Sequence, residues 1–87
     1  MLIQIHPHTL ERAEERGVTR TEIEDVLQTG AVIRAKGNRL AKEKVFDFRQ
    51  QRQNVYYHQK KVQVIYVVQA EVAITVTVYV FYGKWEV

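Results

Sequence analysis

The hydrophobic period of the chain changes once, and this change constrains the fold more than any other feature. Before Gly30 the apolar residues recur at helical spacing in two charged segments that each end at a glycine. After Gly30 apolar and polar residues alternate, most regularly in Val62–Gln69 and Val72–Phe81. Alternation is typical of β-strands, whereas a period of about 3.6 residues is typical of helices. The sequence therefore predicts an α+β domain in which two helices precede a sheet.

Local signals predict the two helices over about residues 7–29. Gly17 follows His8–Arg16, a run rich in Glu, Arg, Leu and Ala, and stands where glycine commonly ends a helix. Thr19 and Glu22 have the spacing of a capping box, which begins a second helix that runs to about Gln28. The apolar stripe of this helix consists of Ile23, Val26 and Leu27.

The remaining residues predict an antiparallel sheet of three to five strands over about residues 31–82. Three short strands are expected at 31–35, 45–49 and 55–58, with a turn at 36–38 and a polar loop at 50–54. The two strongest strands form a hairpin that turns near Ala70 and Glu71. Leu2–Ile5 is either an edge strand or a lead-in.

The last strand is predicted to have two different faces. Its aliphatic side is expected to pack on the helices and consists of Val72, Ile74, Val76, Val78 and Val80. Its other side carries hydroxyls and aromatic rings, and is expected to stay open to solvent or to a ligand.

Length and composition restrict the class of protein. A chain of 87 residues has room for a single domain with one core. The absence of cysteine excludes disulfides, thiolate nucleophiles and cysteine-held metals. The chain has no apolar stretch typical of a secretory signal or of a membrane span. We therefore expect a cytoplasmic domain without membrane contact, and no cofactor or metal is indicated.

The net charge of +3 conceals an asymmetry. Residues 1–30 hold three basic and six acidic groups, whereas residues 31–69 hold nine basic and two acidic groups. A basic segment interleaved with aromatic residues is typical of surfaces that bind single-stranded RNA. The alternative is a set of lysines that keep strand edges soluble. The candidate RNA-binding residues are Lys44, Arg49, Lys60, Lys61 and Lys84.

His8, Arg12 and Arg16 recur at intervals of four residues and project along one side of the first helix. Imidazole transfers protons near neutral pH, and guanidinium binds phosphate through paired hydrogen bonds. Cleavage of RNA without a metal requires such groups as a base, an acid and a source of positive charge. The alternative is that these arginines pair with the glutamates of the same helix on a solvated surface.

The open side of the last strand supplies further candidates, Thr77 and Tyr79. Trp85 either stacks on a base or closes the edge of the core. The spacing of the three histidines matches no zinc motif. The two helices superficially resemble a helix-turn-helix, but acids on the second helix would repel phosphates.

The segment HPHTLERAEERGVTRTEIEDVLQTG, residues 6–30, together with Thr77-Val78-Tyr79, resembles a bacterial family of small domains of unknown function. That family is grouped with the RelE/barnase-like ribonuclease toxins. The resemblance implies two helices packed on an antiparallel sheet and a metal-independent endoribonuclease of toxin–antitoxin type, with an antitoxin as partner. It implies catalytic roles for His8, Arg12, Arg16, Thr77 and Tyr79.

Two other functions remain open. One is a non-catalytic module that binds RNA or another protein. The other is a self-associating scaffold, in which the valine-rich hairpin pairs edge to edge in a homodimer.

Overall fold

A computed structural model describes residues 2–85 and contains two helices and one five-stranded sheet. In chain order the elements are β1 (Leu2–Gln4), α1 (Pro7–Arg16), α2 (Arg20–Thr29), β2 (Ala31–Ile33), β3 (Leu40–Arg52), β4 (Val55–Gln69) and β5 (Val72–Gly83). The strand order across the sheet is β1-β5-β4-β3-β2. Neither helix within residues 2–85 has the length and apolar character needed to cross a bilayer.

The sheet is mixed, so the predicted arrangement of two N-terminal helices on a RelE/barnase-like antiparallel sheet is wrong. A strand precedes the helices, and this strand, β1, runs parallel to β5 with Leu2 opposite Val72 and Gln4 opposite Ile74. The other three pairings are antiparallel. A three-residue strand leaves little periodicity in a sequence, and its partner lies about 70 residues away. The α+β class itself is correct.

Strand structure extends further than the sequence indicated. The predicted loop at 50–54 is largely strand, and only Gln53 and Asn54 turn, with φ of 52° and 67°. Ala70 and Glu71 form the second hairpin turn, with φ of 49° and 65°. Positive φ at both central residues is the signature of the tight turns that match the twist of paired strands. The β3–β4 and β4–β5 hairpins are therefore closed by two-residue turns.

Both helices pack on one side of the sheet, which we call the covered face and which includes Val62, Val64 and Val78. The opposite side, the open face, includes Ile65, Tyr79 and Phe81, because partners in the register share a face. No element within residues 2–85 packs on the open face.

A β-bulge in β5 makes the predicted faces wrong for the residues that precede it. Ile65 pairs with Thr77 and the next residue, Tyr66, pairs with Thr75, so Val76 is the extra residue. Val78 and Val80 therefore face the helices as predicted, but Val72 and Ile74 lie on the open face instead. The helix-facing residues before the bulge are Ala73 and Thr75, which are buried.

The predicted stripe of α2 is confirmed, since Ile23, Val26 and Leu27 are fully buried in the core. The capping box is also present. Its two hydrogen bonds join Thr19 and Glu22, each backbone N–H donating to the other side chain, at 2.9 and 3.1 Å. These contacts place α2 across β3 and β4.

Candidate functional site

The N-terminal end of α1 is fixed to β5 by a buried pair of threonines. The Thr75 hydroxyl donates to Thr9 Oγ1 at 3.0 Å, and the backbone N–H of His6 donates to Thr75 Oγ1, also at 3.0 Å. His6 is the N-cap of the helix, and its Nδ1 accepts from the backbone N–H of His8 at 3.1 Å. These bonds set the position of α1 along β5, and therefore the positions of the three candidate side chains that α1 carries.

The opposite end of α1 brings Arg16 to the edge of β5. Gly17 ends the helix in the left-handed conformation, as predicted, with φ of 80°. The Arg16 guanidinium donates to the backbone carbonyl of Val78 and lies 5.6 Å from the centre of the Tyr79 ring. A cation at this distance from an aromatic ring is attracted to it. Arg16 and Tyr79 are thus the two candidate catalytic residues that the structure brings into contact.

This contact is possible because the edge of β5 is uncovered there. β1 pairs with β5 only from Val72 to Ile74, and β5 continues to Gly83. Arg16 lies on the helix side of the sheet and Tyr79 on the open face. The guanidinium of Arg16 therefore joins the two sides of the sheet at its edge.

Of the other candidate catalytic residues, His8 and Arg12 lie apart from this contact, whereas Thr77 is next to Tyr79 on the open face. His8 is exposed and lies eight residues before Arg16, about 12 Å along the helix axis. Arg12 forms an ion pair with Glu15 at 3.2 Å on the surface of α1. Surface pairs of this kind contribute little stability, so the separation of Arg12 from Glu15 costs little free energy. Thr77 lies on the open face opposite Ile65, two residues from Tyr79.

Two of the candidate RNA-binding lysines, Lys44 and Lys60, form hydrogen bonds with α2 or its flanking residues. Lys60 is only 6% exposed, and its ammonium donates to the Gly17 carbonyl and to Glu22, both at 2.8 Å. Lys44 donates to Asp25 and to Thr29 at 2.9 Å. The hydrogen bond from Lys44 lowers the pKa of Asp25. The Lys60 ammonium is buried against α2 and the charge of Lys44 is balanced by Asp25, so neither lysine presents an unpaired charge on the surface, and their binding of RNA stays a prediction.

The other basic candidates collect at one end of the open face, around the only tryptophan of the chain. Arg49 and Lys84 line a cavity of about 170 Å³ together with Trp85 and His58. Lys61 Nζ lies 4.8 Å from the centre of the Trp85 ring. The remaining lining residues are Asp47 and Gln59. We call this cavity the Trp85 pocket.

The Trp85 pocket is positioned by the strand ends and by Gly83. The backbone N–H of Trp85 donates to the Gln59 side chain at 2.6 Å. Gly83 lies opposite Gln59, and a Cβ added there would be 3.4 Å from the indole. Arg49 has φ of 49° next to an irregularity in the pairing of β3 with β4. This backbone conformation is uncommon for a residue with a side chain and is found more often near functional sites.

The sequence did not predict that His58 shares a pocket with Arg49 and Lys84. These three residues come from different strands or from the segment after β5, so no local spacing joins them. Only the long hairpin of β3 and β4 brings Arg49 and His58 together. Within residues 2–85, no three His, Asp or Glu side chains converge in a way that could hold a metal ion.

A larger cavity of about 610 Å³ opens at the edge of β3, beside Ala31, the first residue of β2. Lys44 and Phe46 line it from the sheet, and Gly30 lines it from the chain between α2 and β2. Gly30 is required there, because a Cβ would lie 2.8 Å from the Glu43 carbonyl oxygen. The cation in this cavity is already paired with Asp25, which distinguishes the cavity from the Trp85 pocket.

The fold and these surfaces define a small α+β domain with a mixed sheet, one open face and an arginine at the sheet edge. The chain matches the family described as a domain of unknown function, DUF4258, over residues 5–80. Because this match covers most of the chain, the protein belongs to that family. No curated protein and no solved structure gives a significant match.

Proposed function

We propose that the protein is a metal-independent endoribonuclease whose reacting site lies at the β5 edge. The observation that carries the proposal is the contact of the Arg16 guanidinium with the Tyr79 ring. The bond to the Val78 carbonyl uses one of the five N–H groups of Arg16, so the others can donate to a phosphate. A fixed cation beside an exposed phenol is suited to phosphodiester chemistry.

The proposed reaction is an attack by the ribose 2′-oxygen on the adjacent phosphorus. The imidazole of His8 takes the 2′-hydroxyl proton, the bond from phosphorus to the 5′-oxygen breaks, and the Tyr79 hydroxyl protonates the leaving 5′-oxygen. Arg16 donates hydrogen bonds to the non-bridging oxygens, which carry the developing charge. The products are a 2′,3′-cyclic phosphate and a 5′-hydroxyl. Proton exchange with water restores His8 and Tyr79.

His8 lies about 12 Å from Arg16 along the helix axis, so the reacting phosphodiester has to lie between the two side chains for both to reach it. The remaining candidates, Arg12 and Thr77, act on binding in this scheme. Arg12 leaves Glu15 and contacts a neighbouring phosphate. Thr77 positions the strand on the open face beside Tyr79.

The test is cleavage of a structured RNA pool in the presence of EDTA. Wild type is expected to cut and to leave 2′,3′-cyclic phosphate ends. Tyr79→Phe keeps the ring against Arg16 and removes only the hydroxyl, and we expect it to cut at least about a hundredfold more slowly. We expect His8→Ala and Arg16→Lys to be similarly impaired, with thermal melting as the check on folding. Intact RNA after exposure to folded wild type, or equal cutting by all variants, would contradict the proposal.

A second candidate function, non-catalytic RNA binding, is favoured by the aromatic side chains of the open face. Tyr79 and Phe81 are 45% and 48% exposed, and Lys61 lies on the same face. Exposed rings beside cations bind single strands by stacking and by phosphate contact. If RNA is retained without being cut, Lys61→Glu is expected to weaken retention and to flatten its salt dependence.

If the nuclease is a toxin, we expect a second protein that inhibits it. An inhibitory protein would have to cover Arg16 and Tyr79, and acidic side chains would suit that surface. The homodimer alternative is less well supported at this edge, because Arg16 already occupies the Val78 carbonyl that a second strand would need. Light scattering at high protein concentration is expected to give the mass of a monomer.

A further inference from the structure

We propose that the Trp85 pocket binds one nucleotide of single-stranded RNA, with the base against the indole and the phosphate held by Arg49 and Lys84. This inference rests on the proposed action on RNA and adds a binding site away from the β5 edge. It depends on the charge, the size and the position of the pocket.

Among the described residues, basic groups outnumber acidic groups at the pocket. Arg49 and Lys84 line it, Lys61 Nζ lies 4.8 Å from the centre of the Trp85 ring, and the carboxylate among the lining residues is that of Asp47. Within residues 2–85, none of these three cations forms a salt bridge. Lys44 and Lys60, by contrast, are both paired with acids of α2. A cation that is not held in a salt bridge can bind a phosphate at a lower cost than one that must first leave an acid.

The size of the pocket suits one base. Its volume is about 170 Å³. A cavity of about 150 Å³ holds a benzene ring, whereas pockets for larger ligands have volumes of about 300–1,000 Å³. The pocket is open to solvent and its residues Arg49 and Lys84 are exposed, so the sugar and the phosphate can extend out of it toward these two cations. An unpaired base is therefore a better match than a duplex or a large cofactor.

The position of the pocket relates it to the proposed reacting site. Gly83 at the pocket and Tyr79 at the reacting site are four residues apart on β5, which is about 13 Å along an extended strand. Phe81 lies between them and pairs with Lys61, and its ring is exposed on the open face. Aromatic rings and cations thus follow one another along β5. A bound strand of a few nucleotides could contact both sites.

Binding in the Trp85 pocket can be followed by tryptophan fluorescence, because Trp85 is the only tryptophan of the chain. Titration with a hexauridine RNA carrying 2′-O-methyl groups, which cannot be cleaved, is expected to quench the Trp85 fluorescence in a saturable way. Uridine monophosphate is expected to quench it more weakly, because it contacts one site alone. Uridine without phosphate is expected to have little effect, because Arg49 and Lys84 then gain no partner.

Matched variants identify the contacts. Lys84→Gln and Arg49→Gln are each expected to reduce the slope of log affinity against log salt by about 0.7, the value for one phosphate contact of a single strand. Lys36→Gln removes the same charge in an exposed loop and is expected to leave the slope unchanged. Trp85→Leu is expected to weaken binding of a labelled RNA about tenfold, the effect of one lost base stack. Thermal melting checks the folding of each variant.

The outcomes separate this inference from the proposed function. RNA cleavage that is unaffected by the pocket variants, with no quenching of Trp85, would overturn the nucleotide site while the nuclease stands. Quenching with the predicted salt slopes in a protein that never cuts RNA would support the site and overturn the nuclease. Equal effects of Lys36→Gln and Lys84→Gln would show that overall charge alone attracts RNA, and would also overturn the site.

Discussion

The two faces of the sheet use the same types of residue for different purposes. On the covered face Lys44 and Lys60 donate to Asp25 and Glu22 of α2, and both lysines support the packing of the helix. On the open face Lys61 lies beside Trp85 and has no salt bridge within the described chain. Lys60 and Lys61 are neighbours in sequence, and the alternation of the strand alone gives them opposite surroundings. A count of basic residues therefore overstates the charge that is available to RNA.

The largest expected effect is on the free energy of unfolding, and it tests the different surroundings of Lys60 and Lys61. Lys60→Met keeps the aliphatic stem of the side chain but removes the cation that pairs with Glu22 and the side-chain donor of the Gly17 carbonyl, and we expect a loss of about 3 kcal/mol in the free energy of unfolding. Lys61→Met, the same change one residue later, is expected to stay within about 0.5 kcal/mol. Urea unfolding measures both values. Similar losses in the two variants would contradict the assignment of the two lysines to different faces.

A smaller effect is expected where α1 ends on the covered face. Gly17 has φ of 80°, and an added Cβ would lie 2.6 Å from the Tyr82 hydroxyl, which donates to Arg16. We expect Gly17→Ala to cost about 2 kcal/mol, from backbone strain and from displacement of this hydroxyl. Gly37→Ala serves as the control, since Gly37 has φ of 65° but nothing within 4 Å of the added atom. That variant isolates the backbone strain, of about 1 kcal/mol.

The smallest effect concerns acid stability. The hydrogen bond from Lys44 lowers the pKa of Asp25 below its ordinary value of 3.8. A carboxyl with a lowered folded-state pKa stabilises the fold above its ordinary pKa, and this contribution is lost as the pH falls through the folded value. We expect Asp25→Asn to make the melting temperature less dependent on pH in this acidic range. If the pH dependence of the variant equals that of wild type, Lys44 is not neutralised by Asp25.

Local signals predicted the elements that depend on neighbouring residues. The stripe of α2, its capping box, the glycine that ends α1 and the turn at Ala70 and Glu71 all follow from spacings of a few residues. The alternation of β5 also placed Tyr79 and Phe81 on the open face correctly.

Features that depend on distant residues could not be predicted in this way. The parallel pairing of β1 joins opposite ends of the chain. The bulge at Val76 exchanges the faces of β5, and a single extra residue leaves the alternation of the sequence unchanged. The burial of Lys60 depends on the carboxylate of Glu22, which α2 brings from 38 residues away. The Trp85 pocket likewise forms only after β3, β4 and β5 have paired.

The central claim is that RNA binds the open face and the β5 edge. Its most direct test is a titration with 2′-O-methyl RNA in which the backbone amide signals are followed by nuclear magnetic resonance. The account predicts shifts at Tyr79, Phe81, Lys84 and Trp85, and unchanged signals on the exposed side of α2 at Gln28. Shifts confined to α2, or no shifts at RNA concentrations that saturate retention, would contradict it.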